Sequence, residues 1–182
     1  DMPFLDHLMV TAPRVASKIE RDSIMTRGAS WGVRSNGTQQ RLNRQHRWTV
    51  TNGNPLHPHH FQTYGGCLKV ARDLTLQAYE MSGAPTCPPD IATLLERVPN
   101  KNSLLCPICR LPLRFSEFSK AKKSKAVIDT GHIDTGMLYR HTYGNVKFIH
   151  HDCCVTKGPK SLTQFISWCR STLKRHGYKV KP

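Results

Sequence analysis

The sequence predicts an α+β protein, and three patterns carry that prediction. Apolar residues recur at helical spacing through residues 67–81, which indicates a long amphipathic helix. Two short strand patterns, at residues 126–133 and 143–149, are close enough in the chain to pair as a hairpin. A last helix is expected after Ser161, because Gln164 is placed for a capping box. The apolar face of that last helix comprises Leu162, Phe165, Ile166, Cys169 and Leu173.

The long helix is expected to begin near Gly65 and to end at Gly83, because Pro85 follows and cannot continue it. Its core face comprises Cys67, Val70, Ala71, Leu74, Ala78 and Met81. The residues expected mostly to point away from the core are Lys69, Arg72, Asp73, Gln77 and Glu80.

The rest of the N-terminal part shows weaker patterns. A second, shorter helix is expected from Pro88, and residues 47–51 are expected to form a strand. The core face of the shorter helix comprises Ile91, Leu94, Leu95 and Val98. We therefore expect an N-terminal recognition and scaffold region at residues 1–103, with two helices, packed against a C-terminal module at residues 104–182.

The chain is strongly basic, with 27 Lys and Arg residues, 12 Asp and Glu residues and a net charge of +15. A positive field of this size attracts polyanions and favours nucleic acid as the partner. A membrane is the weaker alternative, because the sequence has no apolar run of transmembrane length. Ordinary solvated surface is the alternative for the individual cations. Those expected to contact DNA are Arg34, Arg41, Arg44, Arg47, Lys122, Lys123 and Lys157.

Seven cysteines without a secretory signal favour metal ligands over a disulfide framework. Cys106 and Cys109 have two residues between them, the spacing at which two thiolates reach one tetrahedral zinc ion. A thiol redox site at this pair is the alternative, but no βαβ pattern surrounds it. A second half-site of the same kind is formed either by His150 with Cys153 or by His151 with Cys154.

The order of these motifs resembles the HNH, or ββα-metal, nuclease superfamily, particularly its zinc-bearing phage recombination endonucleases and restriction endonucleases. The similar region runs from Leu104 to about Arg175, with His132 after one strand and Asn145 before the next. The resemblance implies that His132 is the general base and that Asn145 braces the loop that aims it. It also implies a structural Zn²⁺ ion and a catalytic Mg²⁺ ion. The implied zinc ligands are Cys106, Cys109, His150 and Cys153.

Two positions depart from the pattern of that superfamily. Gly131 stands where many members carry Asp or His, and Cys154 stands where many carry His or Asn as a ligand to the catalytic ion. A thiolate is a poor ligand for the hard Mg²⁺ ion. We therefore expect the carboxylate ligand to be Asp134 in the first place, then Asp129 or Asp152. Without one of them, the site is weakened or inactive.

The resulting expectation is a metal-dependent endonuclease of double-stranded DNA, either a sequence-specific restriction enzyme or a homing enzyme. Its location would be the cytoplasm of a bacterial or phage-infected cell, or the nucleoid. Cutting two strands needs two sites, so a homodimer is expected. Two alternatives stay open beside the redox protein. One is a zinc-stabilised nucleic-acid-binding protein without catalysis, and the other is a nuclease selective for branched or damaged DNA.

Overall fold

A computed structural model describes residues 1–26, 31–33, 39–41, 45–53, 57–118 and 127–180, with only the backbone for residues 31–33, 39–41 and 58. Within these ranges the chain forms seven α-helices and two two-stranded antiparallel sheets, so the predicted α+β class is confirmed. The helices are α1 (Asp6–Thr11), α2 (Pro13–Ile24), α3 (His57–His60), α4 (Tyr64–Glu80), α5 (Pro89–Leu94), α6 (His151–Lys157) and α7 (Leu162–Arg175). The strands are β1 (Trp31–Val33), β2 (Gln39–Arg41), β3 (Ile128–His132) and β4 (Val146–His150).

The central helix is α4, which packs against α2 on one side and β4 on another. Thr63 caps it, accepting a hydrogen bond from the amide of Gly66 at 3.1 Å. The predicted core face is buried throughout. The opposite face was predicted to be mostly exposed, but Asp73, Gln77 and Glu80 on it are also buried. Both faces are covered because α4 has neighbours on two sides.

The first 26 residues form helices that the sequence pattern left unassigned. Pro13 begins α2, as proline is tolerated in the first helical turn. Leu8 of α1 and Ala16 and Ile19 of α2 are fully buried. The N-terminal part therefore contains more helices than the two that were predicted.

One local prediction in the N-terminal part was wrong and another was wrong in part. The expected strand at residues 47–51 is a 3-10 helix over Arg47–Thr49, and the buried Arg47 side chain donates to the carbonyl of His60 at 3.1 Å. Of the core face predicted for α5, Ile91 and Leu95 are buried, but Leu94 and Val98 are 39% and 78% exposed. The helix ends at Leu94, so Val98 no longer follows the helical spacing.

The predicted hairpin of β3 and β4 is confirmed, with Ile128 opposite His150 and His132 opposite Val146. Helix α6 starts directly after β4 and packs on both strands. Helix α7 carries the predicted capping box, in which Ser161 and Gln164 bond to each other's backbone amides.

The apolar face of α7 is only partly covered, since Phe165 is the one buried residue of that helix and Ile166 and Leu173 are 42% and 43% exposed. The apolar core includes residues from both sides of position 103, among them Leu74 and Phe148. The domain boundary at that position stays a prediction. Among the described residues, no helix is long and apolar enough to cross a membrane.

Candidate functional site

The four predicted zinc ligands lie together where β4 ends and α6 begins. One ligand atom from each of Cys106, Cys109, His150 and Cys153 lies within 4.8 Å of every other. The Sγ atom of Cys109 is 3.3 Å from Nδ1 of His150. Three thiols and one imidazole at these separations form a donor set that suits tetrahedral zinc, so this cluster could hold a zinc ion.

Local backbone geometry explains why the cluster forms. The turn of residues 106–109 is closed by the amide of Arg110, which donates to the carbonyl of Cys106 at 2.9 Å. The amide of Cys106 in turn donates to the carbonyl of Leu111 at 2.8 Å. His150 ends β4 and Cys153 lies in the first turn of α6, so both side chains face this turn. The alternative pair, His151 and Cys154, faces away toward β3.

Burial and crowding shift the thiol pKa values in opposite directions. Burial, hydrogen bonding to Cys109 and neighbouring thiolate charge raise the pKa of Cys153 to about 12. Burial also acts to raise the pKa of Cys106, but bonds from the backbone of Cys109, His150 and Ile108 outweigh it and lower that pKa. Three thiols so close cannot all ionise without a cation between them, and a bound metal ion supplies that charge.

Glu117 was not identified from the sequence, but its carboxylate lies next to the ring of His150. It lies in a 3-10 helix, Phe115–Phe118, and its Oε2 atom is 4.0 Å from Nε2 of His150. A carboxylate on the far side of a ligand histidine fixes the orientation of the ring. With Nε2 facing Glu117, Nδ1 of His150 is directed at the thiols.

His132 and Asn145 lie at the other end of the same hairpin. The side chain of Asn145 is buried and makes three hydrogen bonds to the backbone of the loop between the strands. Its Oδ1 atom accepts from the amide of Asp134 at 2.7 Å, and its Nδ2 atom donates to the carbonyls of Asp134 and Arg140 at 2.9 and 2.7 Å. The carbonyl of Asn145 accepts from the amide of Ile133 at 2.9 Å. Asn145 thus holds the backbone that follows His132, as a bracing role requires.

A second histidine, His141, lies beside His132 and was not singled out from the sequence. The two ring centroids are 5.7 Å apart and nearly perpendicular. His141 is buried, and its Nε2 atom is 2.8 Å from the carbonyl oxygen of Ser23. A carbonyl oxygen can only accept, so Nε2 of His141 carries a proton and the ring is fixed against α2.

The two positions that depart from the HNH pattern face each other. A Cβ atom added to Gly131 would lie 3.2 Å from Sγ of Cys154 and 2.6 Å from Cδ1 of Ile149. One turn further along α6, Lys157 is 2% exposed and donates to the carbonyls of Gly158 and Lys160. Burial lowers the pKa of Lys157, although the nearby Cys154 and Asp134 act to raise it. A buried amine therefore lies near the place where a catalytic ion was expected.

Three carboxylates were considered for that ion, and each is differently placed. Asp152 is exposed in the first turn of α6. Asp129 is 3.3 Å from the amine of Lys18 and 3.7 Å from Nδ1 of His151. Asp134 accepts a hydrogen bond from the amide of Gly136 at 2.8 Å and lies near Lys157. In the described part of the chain, no second group of three metal-ligand side chains forms beside the Cys/His cluster. The residues present around His132 therefore do not fit a dedicated Mg²⁺ site.

The predicted DNA-contacting cations are only partly described. Arg47 and Lys157 are 1% and 2% exposed, so their predicted contact with DNA has no support from their burial and stays a prediction. Both side chains turn inward to backbone carbonyls. Arg41 lies on β2, where only the backbone is described. The predictions that fall outside the described residues are Arg34, Arg44, Lys122 and Lys123.

Helix α2 reaches the hairpin through contacts that no local pattern indicates. The hydroxyl of Thr130 donates to Oδ2 of the buried Asp22 at 2.9 Å. Lys18 bridges Asp22 at 2.9 Å and Asp129 at 3.3 Å. These polar contacts join β3 to α2.

Comparison with known proteins gives two matches that include this region. The DraIII family model matches residues 59–153, just over half of the chain. Four chains of solved structures also match. One is the crystal structure of a type II restriction endonuclease, with 29% sequence identity and a TM-score of 0.75. That match covers 96% of this chain and 82% of the other. No curated protein sequence matches the chain.

Proposed function

The chain belongs to the DraIII family, and from that premise we propose that it is an endonuclease that hydrolyses phosphodiester bonds in double-stranded DNA. The similarity to a type II restriction endonuclease over nearly the whole chain supports a restriction enzyme. The net charge of +15 supports a polyanionic substrate. Within this class we propose a site of the HNH, or ββα-metal, kind.

One observation carries the assignment to that kind of site. The β3–β4 hairpin has the Cys/His cluster at one end, His132 and Asn145 at the other, and α6 packed across both strands. This strand, loop, strand and helix order is the arrangement that the motifs predicted. In it, His132 ends β3, and Asn145, directly before β4, bonds to the loop backbone that follows His132.

The ion proposed for the Cys/His cluster is zinc, held by Cys106, Cys109, His150 and Cys153. Its role would be structural, because four protein ligands leave no open position for substrate. It would fix the end of β4 and the start of α6 relative to residues 106–109. The orientation of the hairpin, and so of His132, would then depend on the metal.

We propose that His132 acts as the general base, taking a proton from the water that attacks phosphorus. Asn145 would act as a positioning residue, because its three hydrogen bonds fix the loop that leaves His132. His141 packs beside the His132 ring and would limit its rotation.

The expected Mg²⁺ ion has less support, since no described carboxylate cluster adjoins His132. Mg²⁺ is often held by one or two carboxylates and the phosphates of the substrate. Asp134 stays the first candidate ligand, because Asp129 already contacts Lys18. Asp152 stays the third candidate. We propose no catalytic step through this ion. A homodimer remains part of the proposal, because two strands need two sites.

Cleavage of a supercoiled plasmid tests the proposal. The wild-type chain should nick or linearise the plasmid with Mg²⁺ or Mn²⁺ present. The variant His132→Ala should lose about 10²–10⁴-fold in rate, the usual contribution of a general base. His176→Ala, at an exposed histidine beyond α7, is the matched control and should cut like the wild type. Equal rates for His132→Ala and the wild type would remove His132 from the mechanism.

The contact between Gly131 and Cys154 favours a second candidate, a zinc-stabilised DNA-binding protein without catalysis. Gly131 has no side chain to offer, and the thiol of Cys154 is a poor ligand for a hard ion. Under this reading the wild type binds the plasmid in a gel-shift assay but does not cut it. Cutting gained by Cys154→Asn or Cys154→His would identify a family site that has lost its ion. If the wild type and both variants fail to cut the plasmid, the proposed nuclease function is rejected.

A further inference from the structure

The loop between β3 and β4, residues 133–145, carries a run of three exposed apolar side chains that begins five residues after His132. Met137 is 42% exposed, Leu138 is 65% exposed and Tyr139 is 46% exposed. Single exposed apolar residues are ordinary on protein surfaces. Three in succession beside a proposed catalytic residue mark a contact surface, and we call residues 137–139 the loop tip.

The loop keeps its shape without help from the first two residues of the tip. Asn145 bonds to the backbone of Asp134 and of Arg140, one on each side of the tip. The guanidinium of Arg140 donates to the carbonyl of Thr135 at 3.3 Å, and the amide of Gly136 donates to Asp134. Hydrogen bonds on both sides therefore fix the base of the loop.

Tyr139 anchors the end of the tip to the rest of the protein. Its φ angle is +51°, in the left-handed region that residues other than glycine rarely adopt. Its ring packs edge-on against His57 and Phe61, with centroids 5.9 and 6.3 Å away. This anchor leaves Met137 and Leu138 pointing outward on a braced turn.

We infer that the loop tip inserts Met137 or Leu138 between base pairs of bound duplex DNA. Apolar side chains of this kind act as wedges when a protein unstacks a base step. A partner protein is less favoured, because the chain carries a net charge of +15 and the tip follows the proposed general base. The inference rests on the DNA binding in the proposed function and does not need cleavage.

The position of the tip in the chain limits where the wedge acts. Leu138 is six residues beyond His132, so it lies at most about 20 Å away along an extended chain. DNA rises about 3.4 Å per base pair, so the unstacked step lies within about six base pairs of the phosphate that faces His132. Unstacking would open the duplex beside the site of attack.

Plasmid unwinding tests the wedge without requiring cleavage. A relaxed closed plasmid is incubated with the zinc-loaded protein and a type IB topoisomerase, without added Mg²⁺ or Mn²⁺, and its linking number is then read on a gel. Saturating wild type should lower the linking number. Met137→Ser and Leu138→Ser combined should reduce the change per bound protein at least twofold. Val98→Ser, at a residue 78% exposed in another part of the chain, is the matched control.

Filter binding of the same plasmid separates the outcomes. Wild-type binding with an unchanged linking number would overturn the wedge and leave the proposed function standing. No binding at all would overturn both. If the tip substitutions change the sedimentation of the free protein but leave unwinding intact, the tip is a contact between protein molecules and the inference is wrong.

Discussion

The Sγ atom of Cys154 faces the backbone of Gly131 so closely that an added Cβ atom would lie 3.2 Å away. The added Cβ atom would also lie 2.6 Å from Cδ1 of Ile149, a fully buried residue. Residue 131 is therefore tightly packed against both β4 and α6. At this position a larger residue must displace its neighbours before it can act as a ligand.

The first prediction concerns this packing. Gly131→Ala should destabilise the protein by about 1–3 kcal/mol, the usual cost of overpacking. Ile149→Val removes Cδ1 and should cost about 0.5–1.5 kcal/mol alone. The double variant should be about 1 kcal/mol more stable than the sum of the single effects, because the clash is removed. Urea unfolding of the four proteins measures this. Strict additivity would show that the Cβ contact does not limit the position.

The second prediction concerns the carboxylate behind the metal ligand. Glu117→Gln should weaken zinc binding about 10–100-fold, because the His150 ring loses the charge that orients it. Competition with a chromogenic chelator measures the affinity. Glu96→Gln is the matched control, since Glu96 is exposed and pairs with Arg72. If the two variants bind zinc with the same affinity, Glu117 does not support the site.

The third prediction concerns the brace. Asn145→Ala removes three hydrogen bonds from a buried position and should cost about 3 kcal/mol, at about 1 kcal/mol for each bond. Plasmid cleavage should fall with it, because His132 is no longer held. Asn100→Ala, at an exposed residue, should change the unfolding free energy by less than about 0.5 kcal/mol. A fully stable Asn145→Ala protein would remove the bracing role.

The fourth prediction concerns pH. Burial, followed by the charges of Arg47, Arg140 and His59, lowers the pKa of His60 below 6.5. The unfolded chain then binds a proton that the folded chain does not, so the free energy of unfolding falls as pH decreases from about 6.5 toward the folded pKa. Above pH 6.5 His60 is neutral in both the folded and the unfolded chain, so it no longer lowers the free energy of unfolding.

Urea titrations between pH 8 and pH 5 measure that slope. His60→Asn should flatten it, because the titrating group is gone. His176→Asn, at an exposed histidine, is the control for a generic loss of one imidazole. A wild type and a His60→Asn variant with parallel pH profiles would contradict the prediction.

The sequence predicted those structural features that depend on residues close together in the chain. The apolar stripe of α4, the capping box at Ser161 and the hairpin all follow from residues within a few positions of one another. The burial of Gln77 does not. Its amide oxygen accepts from the backbone of Phe148 at 3.0 Å, across 71 residues of chain. A polar side chain in a helical pattern is predicted to be exposed, because the pattern does not show a hydrogen-bonding partner elsewhere in the chain.

The candidate site likewise combines features that local spacing predicts with features that depend on distant contacts. The four candidate zinc ligands were identified because each half-site is short, and the structure also distinguishes between the two possible registers. The contact of Asp22 with Thr130 spans 108 residues, and no periodic pattern in the sequence predicts it. Lys157 was expected at the DNA surface because charge alone gives no direction to a side chain. Its burial follows from the carbonyls of Gly158 and Lys160 that it bonds.

The Cys109–His150 contact has a topological consequence. These residues are 41 positions apart, and their facing atoms are 3.3 Å apart. With an ion bound, the intervening chain becomes a ring closed by coordination bonds, much as a disulfide closes a loop of similar length, for which about 4 kcal/mol is typical. A backbone cut inside this ring would not release a fragment. The two pieces would stay tied together until a chelator opened the ring, so the metal would act as a reversible crosslink.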